Sequence, residues 1–204
     1  YETLRRLGTS YDVGETLYRR ALTKHAMGDI ADAANDWTLA ATSYGNSQEW
    51  SGEFRALQQL AVIDGNAGHY RSAIDRLEYI VGHLPAGKDP NLLARCLDIL
   101  GTAYRELGRA DDALDAFANA LSVQREVGDR YHEAESLRGL GSTFYALGEY
   151  DNASKYFQQA LDEQTADART HIAALTGLGN VAFLEADYAQ ALSRHRAALT
   201  LTDS

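Results

Sequence analysis

Apolar side chains recur along this chain at spacings of three and four, in pairs of stripes that return about every forty residues. Within residues 91–129 the first stripe holds Leu97, Leu100, Gly101, Tyr104 and Leu107, and the second holds Ala113, Leu114, Phe117, Ala120 and Leu121. Such spacing keeps each set on one face of a helix, so two amphipathic helices are predicted. Gly108, Arg109 and Ala110 separate them. Glycine there supplies the left-handed turn that ends the first helix, and Asp111 and Asp112 sit at the positive end of the second.

The pattern repeats. Gly28, Gly68, Gly108 and Gly148 lie forty residues apart, each followed five residues later by alanine at 33, 73, 113 and 153. The fourth unit restates the third with Leu137, Leu140, Gly141, Phe144, Leu147, Gly148, Ala153, Phe157 and Ala160. A fifth keeps Leu175, Leu178, Gly179, Ala191 and Ala198, follows after 38 residues, and has Ala186 where the others have the turn glycine; its turn is expected to be looser. The first two units carry Ala21 and Ala61 at the mid-helix glycine position, then Ala33, Trp37 and Ala40, and Ala73, Leu77 and Ile80. Glycine inside a helix costs about 1 kcal/mol against alanine, so Gly101 and Gly141 imply close approach of a neighbouring helix, with Phe117 or Phe157 filling the adjoining space.

A hairpin of this kind cannot bury its apolar face alone, so the units must stack. The reading is all-α: a single array over residues 12–204, in units of about 12–49, 50–90, 91–130, 131–169 and 170–204, with residues 1–11 as an N-terminal remnant or capping segment. Residues 81–90, with Gly82, Pro85, Gly87 and Pro90, form the candidate hinge. A start at Tyr1 and an end at Ser204, straight after a helical pattern, read as a piece cut from something longer.

Composition narrows the partners. A formal charge of -10, from 29 acidic and 19 basic side chains, disfavours nucleic acid and anionic membranes. One cysteine, Cys96, makes neither a disulfide nor a zinc site, and with no signal peptide or spanning run the expected location is cytoplasmic.

Leu100-Gly101, Tyr104, Gly108, Ala113, Phe117 and Ala120, and Leu140-Gly141, Phe144, Gly148, Ala153, Phe157 and Ala160, resemble the tetratricopeptide repeat family, and Pro85 suits that family's proline after a second helix. The unit near forty residues, longer than the family's usual 34, is similar to the arrays of large bacterial transcription activators, signalling ATPases and kinesin light chain. The resemblance implies a right-handed superhelix of about five hairpins, with the first helix of each pair lining the inner surface, and a module that binds peptides, proteins or effectors.

On the first helix of the third unit Arg95, Asp98, Thr102 and Arg105 form a stripe turned about 120° from the leucines, which reads as outside the core. The matching stripes are Glu15, Tyr18, Leu22 and His25; Arg55, Gln58, Val62 and Asn66; Glu135, Arg138, Ser142 and Tyr145; and Thr176, Asn180 and Phe183. The resemblance makes these the concave wall. The groove candidates are Tyr18, His25, Arg55, Asn66, Arg95, Thr102, Arg105, Arg138, Ser142, Tyr145, Asn180 and Phe183, whose guanidinium, amide, hydroxyl and aromatic groups suit an acidic or carboxylate-bearing segment. The competing reading is a solvated face, with Arg95 paired to Asp98 and Glu135 to Arg138 within one helix. Arg55 and Arg105 have no obvious partner of that kind.

Gly139-Leu140-Gly141 and Gly177-Leu178-Gly179 lack the strand and third glycine of a dinucleotide fingerprint, and the six histidines have no metal-ligand spacing. No catalytic residue, metal or cofactor is assigned. The expected role is a non-catalytic protein- or peptide-binding scaffold or sensor, part of a larger bacterial regulatory or signalling protein. The alternatives are a small-molecule effector sensor built around Tyr18, Tyr145 and Phe183, or self-association as a homodimer through exposed terminal helices.

Overall fold

Each pair of stripes becomes a helical hairpin. The computed structural model describes residues 2–163 and 167–202; Tyr1 and Ser204, read from the sequence as cut ends, lie outside the described residues. These contain ten helices and no strand: α1 (Glu2–Ala26), α2 (Ile30–Asn46), α3 (Trp50–Asn66), α4 (Tyr70–His83), α5 (Pro90–Glu106), α6 (Ala110–Val127), α7 (Arg130–Ala146), α8 (Tyr150–Asp162), α9 (Ala168–Leu184) and α10 (Tyr188–Thr202). They form two compact units, Tyr1–Lys88 and Asp89–Ser204, and the division falls inside the Pro/Gly segment 81–90.

In the first unit α1 pairs with α2 and α3 with α4, and α2 also packs on α3. Trp37 of α2 is fully buried, with Ala21 and Ala33 beside it. Alanine suffices at position 21 here, and glycine is used elsewhere: the ring of Tyr44 lies between Gly14 of α1 and Gly52 of α3, where an added Cβ would come within 3.1 and 2.5 Å of it. Asp36 on α2 accepts two hydrogen bonds from Arg20 of α1, both at 2.7 Å, and pairs with Lys24 at 2.9 Å. The Arg20 hydrogen bond, with Lys24 helping against burial, holds its carboxyl down at about 2.

The second unit is built more regularly. Helices α5, α7 and α9 begin at Asp89, Asp129 and Asp167, whose carboxylates accept from the backbone N–H groups of Leu92, His132 and Thr170. These satisfy amides that the first turn leaves without partners. First helices touch in succession, α5 on α7 and α7 on α9, whereas α6, α8 and α10 each pack only on first helices. Within this unit the stack therefore curves with its first helices inside.

The mid-helix glycines mark where a ring is received. Phe117 of α6, 2% exposed, lies between Gly101 of α5 and Gly139 of α7; added Cβ atoms would sit 2.8 and 2.5 Å from its ring. Phe157 of α8 lies likewise between Gly141 and Gly177, at 2.7 and 2.5 Å. In the fifth hairpin the ring is His195, 2.6 Å from a Cβ placed on Gly179. What approaches each glycine most closely is thus an aromatic side chain of the neighbouring helix. Leu107 and Leu147, read as stripe members, are instead 39% and 45% exposed, because each caps its helix rather than facing the core.

The turn between α9 and α10 is as tight as the others, against expectation. At Gly108 φ is +73°, its N–H donates to the Arg105 carbonyl at 2.9 Å, and that of Arg109 to the Tyr104 carbonyl at 2.9 Å. Ala186 adopts φ +63° and makes the same pair, to Phe183 at 3.1 Å and, through Asp187, to Ala182 at 2.9 Å. The hydrogen bonds hold an L-residue in a region that a Cβ disfavours by about 1 kcal/mol. Ala186→Gly is therefore expected to stabilise the second unit by up to about 1 kcal/mol, and Gly108→Ala to destabilise it by a similar amount. Urea melts of the two variants check the opposite signs.

Candidate functional site

The predicted groove residues fall on both units. In the first, Tyr18 of α1 and Arg55 of α3 come together, the guanidinium carbon lying 5.8 Å from the ring centre. Arg55 also donates to the Ser51 carbonyl. His25 stacks obliquely on Trp37, with centroids 5.5 Å apart. Asn66 is exposed at the end of α3, whereas Gln58, placed on the same stripe, is 5% exposed and belongs to the interior.

The second unit gathers more charge. Arg95, Thr102 and Arg105 on α5, Arg138, Ser142 and Tyr145 on α7, and Asn180 on α9 are all half-buried; Phe183, at the end of α9, is 59% exposed and meets Tyr188 edge-on. Neither intrahelical pair of the solvated-face reading forms. Glu135 pairs with Arg169 of α9 at 3.0 Å, and Asp98 is held by Ser136 and Gln124. Asp98 is thereby tied into the packing between helices, a correction to its reading as a groove residue. Arg105, read as lacking a partner in its helix, pairs with Glu106 at 2.9 Å.

Arg138 is the exception. It is half-buried near the middle of α7 and makes no hydrogen bond or ion pair with any described residue. Burial lowers its proton affinity from the ordinary arginine range, the positive charges of Arg105 and Arg169 add to that, and Glu135 and Asp98 oppose it. A guanidinium remains protonated under such pressure, so the wall presents one desolvated cation flanked by two more. Asn180, one hairpin further on at the register of Thr102 and Ser142, also has a side-chain amide without a hydrogen-bond partner among the described residues. Its two donors and one acceptor can hold a peptide backbone.

Sequence reasoning missed Gln124, Ser136 and Arg169. Gln124 had a signal: it continues the α6 stripe of Ala113, Phe117, Ala120 and Leu121 by one further step, and a glutamine at a core position needs a partner. The open polar depression of about 450 Å3 between α6, α7 and α8 is a separate feature, lined by Arg125, Arg130, Glu133 and Glu163. Its cations are already paired, Arg125 with Glu133 at 2.7 Å and Arg130 with Glu163 at 3.2 Å.

Residues 93–162, which span the third and fourth hairpins, match the tetratricopeptide repeat family. Within the chain, these two hairpins are tetratricopeptide repeats. Their fold extends over the rest of it: the apo form of RapI superposes with a TM-score of 0.82 at 14% identity, covering 93% of this chain and 70% of that one. BtubC from P. vanneervenii gives 0.72 at 17% identity, covering 100% and 92%, and MamA residues 41 to the end from Desulfovibrio magneticus RS-1 gives 0.70 at 13%, covering 94% and 96%. At these identities the likeness is one of fold. No curated protein matches the sequence. Tetratricopeptide repeats are scaffolds for protein–protein contact and are generally non-catalytic. Among the described residues no helix is long and apolar enough to cross a membrane.

Proposed function

We propose that the second unit holds an acidic or carboxylate-bearing segment of a protein partner against the wall formed by α5, α7 and α9, as the recognition part of a regulatory or signalling protein. Arg138 carries the reading. A desolvated guanidinium without a partner is costly to keep, and a bound carboxylate would satisfy it through two parallel N–H···O bonds. Arg105 and Arg169 add attraction, and Asn180 supplies an amide for the segment's backbone. The local charge of this wall opposes the overall charge of -10, so binding depends on position rather than on net attraction.

Calorimetric titration with an oligoglutamate peptide tests it. Arg138→Ala is expected to weaken binding at least tenfold, Arg105→Ala less because that side chain already has Glu106, and Arg138→Lys to restore little, since an ammonium cannot reproduce the fork. Equal affinity for wild type and Arg138→Ala would remove the proposal.

Exposed Leu192 and Leu199 on α10, 51% and 63% accessible, support a second reading in which a copy of the chain covers that helix. Light scattering that stays monomeric as concentration rises would dismiss it.

A further inference from the structure

A carboxyl, a primary amide and a hydroxyl meet where α5, α6 and α7 converge. Gln124 Nε2 donates to Asp98 Oδ2 at 2.7 Å, Ser136 Oγ is hydrogen-bonded to Asp98 Oδ1, and Ser136 Oγ lies 2.8 Å from Gln124 Oε1. Three contacts close a ring, and each needs one proton between its heavy atoms. The amide contributes one N–H to the ring and the hydroxyl its single O–H. The third proton has to come from Asp98.

Turning the amide over does not change the count. Nε2 then donates to Ser136, Ser136 donates to Asp98, and Asp98 must donate to Gln124 Oε1. Water cannot replace the missing donor, because Gln124 and Ser136 are both fully buried. An ionised Asp98 would leave two oxygens facing each other across one side of the ring with no proton between them, in a setting where an unsatisfied polar contact is costly.

The charged surroundings are mixed. Asp98 faces Gln124 from α6 and His132, Glu135 and Arg138 from α7, and its own helix carries Arg95 and Arg105; Arg125 of α6 is engaged by Glu133. Burial pushes the Asp98 carboxyl up to about 7 and Glu135 adds to this, while Ser136, Gln124 and His132 pull the other way. Asp98 in turn is one of the charges that Arg138 senses.

We propose that the ring of Asp98, Gln124 and Ser136 is a proton-operated control on the wall described above. With the proton bound, Asp98 is neutral, the ring is closed, and Arg138 keeps its whole charge for an acidic ligand. With the proton lost, a carboxylate inside the fold answers Arg138 and the ring loses one contact. The control rests on the acidic-partner reading. By reciprocity, a ligand that favours neutral Asp98 draws a proton in when it binds.

The test follows both halves on the full chain. Carbon-13 NMR of the side-chain carboxyls reports the ionisation of Asp98, and fluorescence anisotropy of a labelled oligoglutamate peptide reports binding from about pH 5.5 to pH 8.5. Asp98 is expected to titrate near neutrality, and wild-type affinity to fall roughly 3- to 10-fold over that range. Asp98→Asn supplies the third ring proton permanently, so its affinity should stay at the low-pH value; His132 is retained, and any slope it lends survives in the variant. Asp98 already ionised at pH 5.5 while the peptide binds overturns the control alone, as does an identical slope in wild type and Asp98→Asn. No peptide binding at any pH, with Asp98 titrating near neutrality, overturns the acidic-partner reading and takes the gating of binding with it.

Discussion

Phe117→Ala should lower the stability of the second unit by about 3–5 kcal/mol, the range for a fully packed phenyl ring. The ring is held on both faces, by Gly101 and Gly139, so neither wall can collapse far into the space it vacates. Gly139→Ala alone should also be damaging, by about 1–3 kcal/mol, because its Cβ would lie 2.5 Å from that ring. In the Phe117→Ala background the sign should reverse: the clash is gone, the methyl fills part of the void, and alanine suits the helix better than glycine by about 1 kcal/mol. Hydrogen exchange of the α5 and α7 amides, measured for all four members of the cycle, checks this. Additive effects would mean that the ring and the glycine do not meet.

The second large effect is a pH dependence. An aspartate in the unfolded chain titrates near 4, and Asp98 in the fold at about 7. Between those values the folded protein keeps a proton that the unfolded chain has released, so the contribution of Asp98 is fully present below about pH 4. It declines as pH rises towards 7 and is constant beyond, a difference of a few kcal/mol. Asp36, held down at about 2 by Arg20, acts in the opposite sense in the first unit, its contribution being lost as pH falls from about 4 to 2. Asp98→Asn isolates the first effect. It should match wild type at pH 4.5 and exceed it at pH 8 in urea melts of the full chain, and a variant weaker than wild type at pH 8 would show that the carboxylate form is the one the fold uses.

The hairpins were legible in the sequence because the signals are local: a turn glycine, an alanine five residues on, and apolar side chains at helical spacing. The ring-and-glycine contacts were half legible. Glycine inside a helix announces that something comes close, and Phe117 and Phe157 were the aromatics to hand, but the second glycine of each pair, 139 and 177, lies on the next repeat. Ala186 misled because residue type was taken to set the turn, whereas the two hydrogen bonds that close it impose the left-handed conformation on alanine. The wall was read in the same local way. Spacing along one helix offered Asp98 to Arg95 and Glu135 to Arg138, and partners on other helices won: Ser136 and Gln124 for the first, Arg169 for the second. Losing Glu135 to Arg169 is what leaves Arg138 bare, and no single-helix pattern contains that.

Phe117 is clasped by Gly139, and Phe157 by Gly177, in matching fashion. The joint from the third hairpin to the fourth is therefore interchangeable with the joint from the fourth to the fifth. A gene that dropped the fourth hairpin would bring Phe117 to Gly177, and one that duplicated it would bring Phe157 to a copy of Gly139; either way knob meets socket. Length variation by whole repeats thus has a permissive place at the fourth hairpin, and the wall bearing Arg138 would lengthen or shorten with it.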